Sequence, residues 1–209
     1  IAAPVVAIPA VACLGFLQAS LMCIRYRAFA RLRIVLPLLA GGLVGVPFGI
    51  RALTTVDGPT IKAWVGLLMM AIGAAFYFDF RRPLRNPHIA LPFVGVVSGF
   101  LGGCTALTGP PVILFLATQG ESRDAFRASL VTYFTSLGVV TLSIYTYKGL
   151  INLEVLRWLA IFGPVAAIAT YIGARYADRV SETHFRRVAT LCAGLMGLVL
   201  FFENVGEFF

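Results

Sequence analysis

Charge is what this chain has least of. Charged residues fill 12% of its 209 positions, about half the share typical of a water-soluble domain. Acids are the scarcer sign. The nine present are Asp57, Asp79, Glu121, Asp124, Glu154, Asp178, Glu182, Glu203 and Glu207, all in or beside expected loops or near the C-terminal end. With no carboxylate deep in an apolar span, an obvious proton relay is missing. Histidine is nearly absent too: His88 and His184 both sit beside Arg-rich loops. The four cysteines, Cys13, Cys23, Cys104 and Cys192, show no metal-type spacing such as Cys-x-x-Cys. No metal site and no cofactor is therefore expected.

What the chain does have is apolar length. Hydrophobic residues make up 59% of it, and its mean hydropathy is +0.90. This composition points to an all-α polytopic membrane protein. Apolar runs of about 17–22 residues cross a bilayer as helices, and they are expected at about 8–24, 34–53, 62–78, 128–147, 154–175 and 187–205. The net charge of +8 fits Arg clusters in cytoplasmic loops better than nucleic-acid binding.

The stretch 89–118 is too long for one ordinary span and is interrupted by Gly102-Gly-Cys-Thr-Ala-Leu-Thr-Gly-Pro-Pro111. Glycine raises the entropic cost of helix, and proline lacks an amide donor, so a regular helix cannot run through. Interrupted backbone is tolerated in a bilayer only where protein or a wet cavity satisfies the freed groups. In carriers, such interruptions hold substrate. A re-entrant hairpin is expected over 89–118, with one long broken crossing as the alternative.

A repeat runs through the chain. A shift of 124 residues lays Leu32-Arg33 on Leu156-Arg157, Gly49-x-Arg51 on Gly173-x-Arg175, Leu67 on Leu191 and Gly73 on Gly197. The expected halves, 1–80 and 81–209, form one transmembrane domain. Arginine then sets their relation. If 89–118 returns to the side it left, one face collects Arg25, Arg27, Arg31, Arg33, Arg81, Arg82, Arg85, Arg123, Arg127, Arg175, Arg179, Arg186 and Arg187. The other face keeps Arg51, Lys62, Lys148 and Arg157. A single crossing would divide these charges almost evenly. The positive-inside rule favours the hairpin, which makes the repeats inverted, with a re-entrant or discontinuous helix expected in each. Because the chain opens without Met inside an apolar stretch, the first repeat's initial element is expected to be missing, with a gap near residues 7–8.

Phe100-Leu-Gly-Gly-Cys-Thr-Ala-Leu-Thr-Gly-Pro-Pro-Val112 resembles the second signature of the sulfite exporter TauE/SafE family, which usually reads Gly-Gly-x-x-Gly-x-Gly-Gly-Pro-Pro. Ala125-Phe-Arg-Ala-Ser129, Gly173-Ala-Arg175 and Ser181-Glu-Thr-His-Phe-Arg-Arg187 are similar to further family patterns. Ala106 and Thr108 depart from it, standing where the family generally has Gly. Ala106 is a mild change on this reading, whereas Thr108 adds a hydroxyl donor. The resemblance implies export or permeation of sulfite, thiosulfate or organosulfonates across a bacterial plasma or inner membrane. Some relatives are associated with other small organic anions.

An oxyanion in hydrocarbon needs its hydration shell replaced, and a helix N-terminus offers unpaired amides and a positive dipole. A short helix starting after Gly109-Pro110-Pro111 would place such a terminus near mid-membrane, with Pro in its first turn. Gly102, Gly103 and Gly109 permit close backbone approach, Thr105 and Thr108 add hydroxyls, and Cys104 lies among them. The bland reading is a tight helix crossing packed through small residues. Ser129, Thr132, Tyr133 and Ser136 form a polar stripe that either lines the path or bonds a neighbouring helix. Gln18 and Ser20 are the comparable polar residues of the first span. Arg51 and Arg175 are candidate pathway mouths or interfacial anchors. An intramembrane protease would need a base near Ser98, and a thiol relay would need a partner for Cys104; neither is present in the sequence pattern. The remaining alternative is a non-transporting membrane subunit. The partners expected are a small sulfur-containing anion and the lipid bilayer, with a homo-oligomer left open.

Overall fold

The structure is a computed structural model that describes residues 4–56, 60, 87–119 and 122–177. The expected spans 62–78 and 187–205 lie outside the described residues, as do most of the loops 79–88 and 176–187. The described residues are helical throughout: α1 (Pro4–Tyr26), a 3-10 turn (Arg27–Phe29), α2 (Leu32–Thr55), α3 (Pro87–Thr105), α4 (Gly109–Ala117), α5 (Arg123–Tyr147) and α6 (Leu153–Ala177). Among the described residues, four stretches are long and apolar enough to cross a membrane: Val6–Tyr26, Leu32–Thr55, Arg123–Tyr147 and Leu153–Tyr176. α1 runs without interruption past residues 7 and 8.

Local chemistry sets the ends. Ser122 caps α5 by accepting the Ala125 N–H at 3.4 Å, and Asn152 Oδ1 accepts the Val155 N–H at 2.9 Å at the start of α6. α5 stops where Gly149 takes φ 69°. The Gly149 N–H then reaches Thr146 O and the Leu150 N–H reaches Tyr145 O, a Schellman closure that needs the left-handed residue. Pro9, Pro37, Pro47, Pro92 and Pro164 lie inside helices, as apolar spans allow when neighbours take up the freed carbonyls.

The tightest packing joins α2 to α3. Glycine recurs every fourth residue on both, at 41, 45 and 49 and again at 95, 99 and 103. A Cβ at Gly41, Gly45 or Gly49 would overlap the carbonyl of Pro92, Val96 or Phe100. One at Gly95 or Gly99 would overlap that of Leu38 or Gly42. Backbone therefore touches backbone along the crossing, the contact small residues make possible in lipid. Because residue numbers rise together on both sides, α2 and α3 run parallel. α5 runs the same way: the Arg31 N–H donates to Ser129 Oγ at 3.2 Å, Gly42 lies under Leu137, and Tyr145 reaches Gly103. α1 opposes it, with Cys23 by Thr132 and Phe16 against Gly138. Thus α2, α3 and α5 all begin at the end of the bundle that holds the α1–α2 junction. The core between them buries Leu38, Val46, Ile50, Leu91, Val112, Leu116, Tyr133, Leu137 and Tyr145.

Candidate functional site

α3 ends at Thr105 and α4 begins at Gly109, so three residues carry the change of direction. Ala106 takes φ 61°, a left-handed conformation that costs an L-residue roughly 1–2 kcal/mol. That corrects the reading of Ala106 as a mild change: the backbone there is one that glycine adopts without penalty. The Ala106 N–H still reaches Gly102 O at 3.1 Å, and the Leu107 N–H is taken by Thr105 Oγ1 at 3.2 Å. Thr108 occupies the N-cap of α4 yet makes no side-chain cap bond.

Pro110 and Pro111 have no N–H, so the backbone donors of this first turn belong to Thr108 and Gly109. The donor set at the helix start is smaller than the dipole argument alone suggests.

A cavity of about 420 Å³ opens against this junction. Gly102, Ala106, Thr108 and Gly109 form one wall, α1 gives Phe16, Gln18 and Met22, α5 gives Val131, Phe134 and Thr141, and α6 reaches in with Thr170. Among the described residues, no ionisable side chain lines it. Thr141 and Thr170 donate their hydroxyl protons to Leu137 O and Ala166 O at 3.0 and 2.7 Å, so toward the cavity their oxygens can only accept. Among the described residues, the donors able to face an anion are the Gln18 amide, the Thr108 hydroxyl and the two junction amides.

The expected site residues divide accordingly. Gly102, Thr108 and Gly109 come together on the cavity wall. Gly103 packs on α2, and its carbonyl accepts the Tyr145 hydroxyl at 2.8 Å. Cys104 is buried with Sγ 3.6 Å from Leu101 O, and Thr105 donates to the same carbonyl at 2.8 Å. Pro110 and Pro111 shape the first turn of α4. The stripe on α5 is shared among neighbours: Ser129 meets the α1–α2 junction, Thr132 meets Cys23 of α1 at 3.8 Å, Tyr133 is directed at α3, and Ser136 is half-buried. Arg51 and Arg175 are exposed, toward opposite ends of the bundle, and neither lines the cavity.

Sequence reasoning passed over Ser98 except as a nucleophile without a base. Its hydroxyl instead donates to Thr108 O at 2.7 Å and accepts from Tyr133 Oη at 3.1 Å. Thr141 and Thr170 were also missed, and only their isolation in apolar helices could have marked them.

The family model for the sulfite exporter TauE/SafE family matches residues 1–200. The chain belongs to the sulfite exporter TauE/SafE family. TauE/SafE membership and the four apolar helices make it a multi-pass membrane protein. It is similar to a probable sulfite/organosulfonate exporter TauE of Cupriavidus necator, 33% identical over 95 residues. That match takes in 46% of this chain and 37% of the relative, so it spans well under half of the relative's length. No solved structure matches the chain significantly. TauE/SafE is a family of transporters.

Proposed function

We propose that this protein carries small sulfur-containing anions out of the cell, holding them at the α3–α4 junction near mid-membrane. The observation that carries this reading is the cavity on Gly102, Thr108 and Gly109, where helix-start amides and a free-standing hydroxyl meet open space. Family membership and the similarity to a probable sulfite/organosulfonate exporter support the substrate class. On this reading 89–118 is a re-entrant hairpin in the second of two inverted repeats, and the end bearing the α1–α2 junction faces the cytoplasm of a bacterial plasma membrane. The parallel course of α2, α3 and α5 supports it, since a chain that leaves one end with α3 starts α5 from that same end.

Within the class, the lining favours organosulfonates over sulfite or thiosulfate. A small oxyanion fills only a few water volumes of ~30 Å³ each, a minor part of about 420 Å³. A lining with no cation among the described residues is also a poor host for a dianion, whose desolvation is costly. A sulfonate carries one delocalised charge and an apolar body suited to Phe16, Val131 and Phe134. Flux into proteoliposomes tests the reading. Sulfoacetate and a short alkanesulfonate should move, sulfite more slowly, and Gly109→Leu should abolish movement while the protein still inserts. Normal flux by that variant would leave the junction a packing element.

A further inference from the structure

We infer that Ser98 and Tyr133 are positioning residues that aim the Gly109 amide into the cavity, an inference that rests on reading the cavity as the anion site. The two side chains are each 0% exposed. Tyr133 of α5 donates to Ser98 Oγ of α3 at 3.1 Å, and Ser98 donates onward to the carbonyl of Thr108 at 2.7 Å. Two bonds thereby tie three elements together. Ser98 is unlike the other helical hydroxyls around it. Thr105, Thr141, Ser143, Thr146 and Thr170 each donate to a carbonyl four residues back in their own helix. Ser98 gives its proton across the junction instead. Gly42 makes room for the relay, since a Cβ there would stand 3.0 Å from Tyr133 Oη and 2.7 Å from Leu137.

The consequence follows from peptide geometry. The Thr108 carbonyl and the Gly109 N–H belong to one planar trans peptide, so they point in opposite directions. Drawing that carbonyl onto Ser98 turns the Gly109 N–H away from Ser98. Gly109 lines the cavity and Ser98 does not, so the N–H is directed to the cavity side. With Pro110 and Pro111 next in sequence, no later amide of the turn can replace it. Tyr133 holds the Ser98 oxygen in place and leaves its proton free for Thr108. The pair touches no substrate; it acts through the peptide it orients.

Three variants separate positioning from simple support of the fold. Ser98→Ala leaves the Tyr133 hydroxyl buried without an acceptor, which is costly, whereas Ser98→Ala with Tyr133→Phe removes both polar partners. The double variant should therefore regain much of the thermal stability that Ser98→Ala loses in detergent. Its affinity should not recover. Calorimetry with sodium methanesulfonate and with sodium sulfite is expected to show binding weakened about tenfold or more in both variants, with Tyr133→Phe weakened less. Hydrogen exchange in the segment 105–109 should accelerate in both variants that lack Ser98. Affinity that recovers with stability in the double variant, or exchange unchanged at the junction, would overturn the positioning role. Wild-type protein that binds neither probe overturns the site reading and this role with it. Wild type that binds while Ser98→Ala binds equally well overturns the role alone.

Discussion

Thr108 is the residue on which the proposed substrate contact turns. It stands at a helix N-cap without capping, and its Oγ1 lies close to Gly102, where a Cβ would come within 2.7 Å of it. If that hydroxyl donates to the bound anion, Thr108→Val keeps the shape and removes the donor. Affinity should fall by about 1.5–3 kcal/mol, roughly ten- to more than a hundredfold. Thr108→Ser should stay close to wild type. Calorimetry on the two variants checks this, and equal affinity for Thr108→Val takes Thr108 out of the site. Two residues earlier, Ala106 holds φ 61°. Ala106→Gly should relieve that conformation and stabilise the fold by up to about 1 kcal/mol once glycine's freer unfolded chain is counted, which raises the melting temperature. A lower melting temperature would contradict the strain.

Glycines of one sequence type serve different ends once the helices are placed. In the α2–α3 crossing a Cβ at Gly45 would overlap the Val96 carbonyl and stand 2.7 Å from the Phe100 amide nitrogen. Backbone cannot turn aside as a side chain can, so Gly45→Ala should separate the helices and cost on the order of 3 kcal/mol. A Cβ at Gly173 on α6 would meet nothing within 4 Å among the described residues. There, alanine should be neutral or stabilise by up to about 1 kcal/mol through helix propensity. Thermal unfolding of the two variants in detergent checks the contrast, and similar melting would refute the close crossing. Gly109 falls between these cases: a Cβ there would stand 3.3 Å from the Ile113 side chain and 3.8 Å from that of Phe134. Alanine should be accommodated at Gly109, while leucine should fill the cavity.

At the scale of the whole molecule the prediction concerns sidedness. α2, α3 and α5 begin at one end, so residues at that end should share a membrane face, the cytoplasmic one. In a cysteine-free background, a membrane-impermeant maleimide applied outside intact cells should miss Ala28→Cys and Arg123→Cys. It should label Thr55→Cys and Lys148→Cys, which lie exposed at the other end. External labelling at position 123 would sink both the hairpin and the inverted relation of the repeats. Arg51 and Arg175 lie exposed toward these opposite ends, as mouths or interfacial anchors would.

Length and hydropathy determined that this chain is a helical membrane protein, because a bilayer admits few other ways to satisfy backbone groups. The stretch 102–111 marked where helix must stop, since Gly and Pro act through the local backbone and need no partner. Its resemblance to the TauE/SafE signature pointed to the family that the match over residues 1–200 establishes. The start of α4 at Gly109 followed the same local rules. What lay beyond the sequence was which polar groups face which neighbour. Ser129, Thr132 and Tyr133 share helical spacing, yet they meet the α1–α2 junction, α1 and α3. Periodicity gives the angle of a side chain about its own axis and says nothing of the helix that arrives there. Ser98 became a link, and Gln18, Thr141 and Thr170 became cavity wall, only because packing of α1, α3, α5 and α6 set them around one junction. Each of those contacts joins residues far apart in the chain, and only the tertiary fold could decide them.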